Sequence, residues 1–183
     1  MTETPNPNSP VFYACTAVSP DGPPIEIAWA TRAFESYGVL CESHLIRPPA
    51  TWVSELVRDA SALQALPPCL LMLADLRDFG MSPCELAARM NEILVDRELF
   101  SATAEDDARI RKIFDTVNSV PAFTLRRSDA DELITELARM LHRSPTAIAR
   151  AKREAEVMCL TGVRAEAKVR FLVTYWDLAA ASN

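Results

Sequence analysis

Three strand-like segments open this chain, and the links between them are too short to hold a helix. Residues 10–18 and 24–34 alternate or run apolar, with the turn-forming Ser19-Pro20-Asp21-Gly22-Pro23 between them. Ser36-Tyr37-Gly38 makes the next turn, and Val39 to Ile46 makes a third strand. Strands joined so tightly pair antiparallel, because a parallel pair needs a long crossover. The opening is therefore predicted to be a three-strand antiparallel meander. Arg47-Pro48-Pro49 ends it, since proline cannot donate to a ladder.

Helical patterns then take over. Thr51 caps a helix predicted from Trp52 to about Leu66, with Trp52, Leu56, Ala60 and Leu63 on one face, and Pro67-Pro68 breaks it. Residues 70–79 are apolar and short, and their type stays open. Ser82-Pro83-Cys84-Glu85 has the residues of a capping box with proline in the first turn. It predicts a helix to about Leu94, with Leu86, Met90, Ile93 and Leu94 inward. Leu99-Phe100-Ser101 is predicted to be a short strand, and Ala104 to Val117 a helix with Ile110, Ile113, Phe114 and Val117 on one stripe. Pro121 to Leu125 fits a strand, and Ser128 caps a helix from Asp129 to about Leu141 with an acidic first turn. Ser144-Pro145 starts another, to about Leu160, with Gly162 as its stop. The tail from Val163 to Asn183 fits a strand, or a helix whose stripe is Val169, Leu172, Val173 and Trp176.

A meander followed by mixed helices and short strands predicts an α/β fold, a mixed sheet covered by helices. The expected organisation is a flexible leader over 1–9, one domain over 10–162, and a segment over 163–183 that docks on the domain or on a partner. The net charge of −6 argues against gripping nucleic acid mainly by electrostatics. No apolar run approaches the roughly 18–20 residues needed to span a bilayer. The polar, proline-rich start has no apolar signal core, which predicts a cytoplasmic protein. Cys15, Cys41, Cys69, Cys84 and Cys159 are odd in number and form no Cys-x-x-Cys pair, so buried reduced thiols are expected rather than a zinc site.

The succession Val11-Phe12-Tyr13-Ala14-Cys15-Thr16-Ala17, Pro24-Ile25-Glu26-Ile27-Ala28-Trp29-Ala30 and Glu42-Ser43-His44-Leu45-Ile46-Arg47-Pro48 resembles the first three strands of DnaQ-like (DEDDh) 3′–5′ exonucleases, the superfamily of ribonuclease T. The resemblance covers roughly residues 10–152. It continues through the Phe79-Gly80-Met81-Ser82-Pro83 helix entry, Ala87 to Asn91, Leu99 to Phe114 and His142-Arg143. It implies an RNase H-like fold. It also implies four carboxylates holding two magnesium or manganese ions, with a histidine as general base.

The positions that should carry this chemistry are mostly changed. The first motif's Asp-x-Glu falls on Ala14 and Thr16. The middle motif's Asp falls on Asp106, with Asp107 as the alternative alignment. The last motif, His-x-x-x-x-Asp, falls on His142 and Ala147, and Ser101 is followed by Ala102 where an Asp is frequent. One acid and one base remain, too few for two hard cations. Each survivor also has a plain explanation: Asp106 as a helix-start acid, His142 as a helix-end residue. Glu26 either points toward the emptied site or faces solvent, and solvent is the expected case. His44 is read as structural.

Arg139, Arg143, Arg150, Lys152 and Arg153 form a stretch without an acid around His142, a candidate nucleic-acid contact centred on Arg139, Arg143 and Arg150. A solvated helix face with Glu154 and Glu156 as i,i+4 partners to Arg150 and Lys152 is the alternative explanation, and the one preferred. A Cys15–His142 dyad lacks a third orienting group. No Gly-x-Ser-x-Gly elbow or phosphate loop is present. The expected function is therefore an exonuclease-fold protein that no longer cuts and binds a single-stranded nucleic-acid end or a protein, with no cofactor. Two alternatives stand beside it. One is a weak exonuclease rebuilt around Asp106, Asp107, Glu26 and His142 with magnesium or manganese. The other is a homodimeric structural or regulatory protein using its Trp176-containing tail.

Overall fold

Residue Tyr13 of the first strand points to one side of the sheet and Phe12 to the other, and both are fully buried. That alternation sets the architecture, because each face needs its own helical cover. The computed structural model describes residues 5–7, 9–33, 38–58, 73–101, 103–159 and 164–181. Its strands are β1 (Val11–Ala17), β2 (Pro24–Arg32), β3 (Val39–Leu45), β4 (Glu98–Ser101) and β5 (Thr124–Asp129). They form one sheet in the order β3-β2-β1-β4-β5. β1 pairs antiparallel with β2, and β2 with β3, while β4 runs parallel to both β1 and β5. An antiparallel meander extended by two parallel strands on the far side of β1 is the RNase H-like arrangement expected above.

Seven helices are described: α1 (Ala50–Arg58), α2 (Leu73–Phe79), α3 (Pro83–Ile93), α4 (Ala104–Thr116), α5 (Ala130–Met140), α6 (Pro145–Met158) and α7 (Ala165–Ala181). On one face Tyr13, Cys15, Ile27 and Trp29 pack against Trp52 of α1, Leu86 and Met90 of α3, and Ile110, Ile113 and Phe114 of α4. On the other, Phe12, Ala14, Ala28 and Ala30 pack against Ile134 of α5, Ala151 and Ala155 of α6, and Val169, Leu172 and Val173 of α7. The small residues Ala14, Ala28 and Ala30 let α7 approach the sheet closely.

Local signals hold well at α3. Ser82 and Glu85 form the reciprocal capping box, with Pro83 at the first helical position. The helix predicted from Asp129 starts at Ala130, because β5 runs on through Asp129. The strand expected at Pro121 to Leu125 begins three residues later, at Thr124. The helix expected from Trp52 to Leu66 is seen to Arg58, and the rest of that stretch, Pro67-Pro68 and Cys69 lie outside the described residues. So do Ser36-Tyr37, Ala102 and Gly162. The tail is a helix, and Trp176 meets Phe12 edge-on at 6.0 Å between ring centroids. Part of the leader is tied down. The Asn6 amide donates to the Arg32 carbonyl at 2.9 Å, and Arg97 donates to the carbonyls of Asn6 and Ser9. Among the described residues no helix is long and apolar enough to cross a membrane.

Candidate functional site

The C-terminal end of β1 is where the sheet, the start of α4 and the start of α7 meet. α4 follows β4 directly, so the carboxylate of Asp106, in its first turn, reaches the end of the neighbouring β1. Asp106 is fully buried. Its Oδ1 accepts from the Cys15 amide at 3.1 Å and from the Arg109 guanidinium at 2.9 Å, and its Oδ2 accepts from the Thr103 amide at 3.2 Å. Both oxygens are therefore engaged in joining α4 to β1 and closing its own helix start. Asp107 points elsewhere and pairs with Arg111 at 3.1 Å.

Across the sheet from Asp106, Ala14 and Thr16 face α7. Thr16 donates its hydroxyl to Glu26, its partner on β2, at 2.9 Å. Glu26 is 1% exposed, which overturns the expectation that it faces solvent. The cause is α7, whose start lies across that end of β2. Arg164 donates two hydrogen bonds to Glu26, each 2.7 Å, and the Ala165 amide adds a third at 3.1 Å. Ser43 of β3 supplies another at 3.1 Å. Burial pushes the Glu26 carboxyl up, but Arg164, the Ala165 amide and Thr16 outweigh it and hold the carboxyl below its ordinary range. Lys168, one turn further along α7, reaches the Cys15 carbonyl at 3.4 Å. Val169 is buried in the same apolar cluster as Ala14.

His142 does not join this group. α5 begins at the C-terminal end of β5, which is parallel to β1 through β4, and its 11 residues run back along the sheet. His142 therefore lies near the N-terminal end of β1. Its neighbour Arg143 donates to the Ala180 carbonyl at 2.8 Å, close to the Asp177–Arg32 pair at the far end of β2. The histidine is exposed and sits at φ 56. Its amide bonds the Arg139 carbonyl, and the Arg143 amide bonds the Ala138 carbonyl, which makes His142 the left-handed residue of a Schellman helix stop. Ala147 lies in the first turn of α6, where its amide is capped by Ser144. A Cys15–His142 dyad is excluded by the same separation. The Cys15 thiol is buried, and burial together with the Asp106 charge pushes it well up, away from the reactive thiolate.

The basic stretch is divided between roles. Arg143 ties the α5–α6 corner to the end of α7. Arg150 pairs with Glu154 at 3.5 Å, and Lys152 pairs with Asp131 at 2.9 Å instead of Glu156. Arg139 is exposed. His44 stacks on Trp29 with ring centroids 5.2 Å apart.

The residues do not fit the pair of magnesium or manganese ions that the resemblance implies. Ala14 and Val169 offer no ligand, Glu26 is saturated by Arg164, and Asp106 by Arg109 and two amides. Among the described residues no three His, Cys, Asp or Glu side chains are placed to hold a metal ion. Sequence reasoning missed Arg164, Lys168, Val169 and Arg109. Nothing in their types marks them, and only the docking of α7 and α4 brings them to the strand end.

The strand order and its helical cover define an RNase H-like α/β domain. No known family model matches the chain, and no curated protein matches it. Among solved structures it is similar to E. coli exonuclease I in complex with a 5cy-dA13 oligonucleotide, at TM-score 0.45 and 14% identity. That match covers 70% of this chain and 30% of the exonuclease chain.

Proposed function

We propose that this chain is an RNase H-like domain that does not cleave phosphodiester bonds and works by binding a single-stranded nucleic-acid end or a protein. The observation that carries the reading is the state of the two acids at the end of β1. Glu26 is closed by a bidentate arginine, and Asp106 accepts three hydrogen bonds from its own fold. Two-metal hydrolysis needs carboxylates with free lone pairs aimed at one point. In this reading Arg164, just before the helix that covers Ala14, and Val169, five residues later within it, stand in place of the His-x-x-x-x-Asp pair. A fixed guanidinium and an apolar side chain then replace a base and a metal ligand. The rebuilt exonuclease around Asp106, Asp107, Glu26 and His142 loses its support, because those four side chains lie on two faces and at two ends of the sheet.

The test is a degradation assay on fluorescent single-stranded DNA and RNA with magnesium or manganese, run beside anisotropy binding to the same strands. No turnover is expected. Turnover that co-purifies with the folded protein and disappears in Asp106→Asn would overturn the proposal.

A further inference from the structure

A pocket of about 320 Å³ lies where the end of α3, the sheet face of β2 and β3, and the leader meet. In the β2–β3 ladder Trp29 pairs with Glu42 and Thr31 with Leu40, so these four side chains share one face of the sheet. It is the α3 face, where Trp29 packs with Leu86 and Met90. α3 ends at Ile93, with Leu94 as its C-cap. Beyond it the leader borders the pocket: Pro5 bridges Ala33, and the Asn6 amide bonds the Arg32 carbonyl. Val11, Trp29, Leu40, Ile93 and Leu94 give the pocket apolar walls, and Pro5 adds to them.

The polar groups of this pocket are spent, with one exception. Glu42 and Arg89 pair at 3.3 Å. Thr31 donates its hydroxyl to the Pro10 carbonyl at 3.1 Å. Arg97, also in the wall, donates Nη2 hydrogens to the carbonyls of Asn6 and Ser9 at 3.1 and 2.7 Å, which holds its head beside the leader. Among the described residues its Nε and Nη1 have no hydrogen-bond partner, and Arg97 takes part in no ion pair. Arg97 also borders a second hollow beside Asp96 and Glu98, but Glu98 pairs with Arg126 there and neither acid pairs with Arg97. Burial holds the Arg97 pKa below the ordinary arginine range, with no carboxylate to offset it. Two carbonyl dipoles are a poor counterweight for a half-buried guanidinium, whose matching partner is a carboxylate.

We propose that this pocket binds a small apolar carboxylate, with its ring or short chain against Trp29, Leu40 and Leu94 and its carboxylate on Arg97. The walls supply the hydrophobic part of recognition, and the guanidinium supplies a charge-assisted hydrogen bond. The volume is at the low end of the roughly 300–1,000 Å³ of small-ligand sites, which favours one ring or a short chain over anything larger. The pocket lies at the end of β2 away from Glu26, so the proposal stands whether or not the β1 site cuts nucleic acid.

NMR titration of the full isotope-labelled chain at neutral pH tests it. The probes are phenylacetate and hexanoate, their neutral amides phenylacetamide and hexanamide, and the cation phenethylamine. At least one acid should shift the Trp29 indole N–H and the Val11, Leu40 and Leu94 amides saturably. It should bind at least about tenfold more tightly than its own amide, the worth of one charge-assisted hydrogen bond, and the amine should bind weakest. Arg97→Gln should weaken the acid about tenfold or more and leave the amide within about twofold. A role confined to tethering the leader would move acid and amide alike. Should Arg97→Gln fail to fold, the difference between acid and amide in the parent chain decides. No saturable shift at these positions with either acid up to about 10 mM overturns the proposal. Equal affinity for acid and amide overturns it too, as does equal weakening of both in Arg97→Gln.

Discussion

Replacing Arg164 by alanine removes the guanidinium that holds Glu26 at the start of α7. Glu26 is 1% exposed, so its charge has no route to water without moving the helix. Breaking a buried pair from one side costs about 3–5 kcal/mol. Two features place this case at the low end. The Arg164 side chain is 28% exposed, and Thr16, Ser43 and the Ala165 amide still donate to the carboxylate. The expected loss is about 3 kcal/mol, which lowers Tm by roughly 6–12 °C for a chain of this size. Glu26→Gln keeps one acceptor oxygen and should cost about 1–2 kcal/mol. The double variant should cost less than the two singles together, by about 1 kcal/mol or more. Urea unfolding followed by tryptophan fluorescence at neutral pH measures all three. The acid limb gives a second reading of the same pair. The Glu26 carboxyl is held below its ordinary 4.5 in the fold, so on acidification the unfolded chain takes up the proton first. Its contribution is present above about pH 4.5 and is lost as pH falls through the lower folded value. Glu26→Gln should remove that part of the acid slope. A loss under about 0.5 kcal/mol for Arg164→Ala, the size of an exposed pair, refutes the reasoning, as does an unchanged acid slope in Glu26→Gln.

His142→Gly should stabilise the chain by about 1 kcal/mol in thermal unfolding, because glycine adopts φ 56 without the Cβ penalty. A loss of stability would count against the Schellman assignment. Gly80→Ala should destabilise by about 2–3 kcal/mol, since a Cβ there would stand 2.2 Å from the Leu76 carbonyl oxygen and 2.5 Å from the Arg47 amide. A melting temperature equal to the parent's would contradict that contact. Millimolar magnesium or manganese should leave Tm unchanged, because an ion that binds only the folded state must raise it, and a concentration-dependent rise would reveal a cation site.

Much of the scaffold was legible because its signals are local. The capping box at Ser82 and Glu85, the Ser144-Pro145 helix start and the turn at Ser19 to Pro23 each act within a few residues. The tail was ambiguous between strand and helix because its apolar residues satisfy both periods over a short window. Its packing on Ala14, Ala28 and Ala30 settles it as a helix. The candidate site was legible only as a set of replacements at Ala14 and Thr16. The residues that fill the gap, Arg164 and Val169, carry no mark of the role in their types.

The amino-acid order alone determines the antiparallel opening, the helix boundaries with strong caps, and the shortage of acids on β1. Tertiary structure decides what becomes of the acids that remain. Glu26 and Arg164 are 138 residues apart in the chain, and neither side chain encodes its partner; only the docking of α7 on the sheet joins them. His142 shows the converse, since a residue type suited to catalysis is carried by α5 to the end of the sheet away from Asp106. Spacing along the chain governs turns and caps, whereas the meeting of distant charges depends on how helices pack over a shared face.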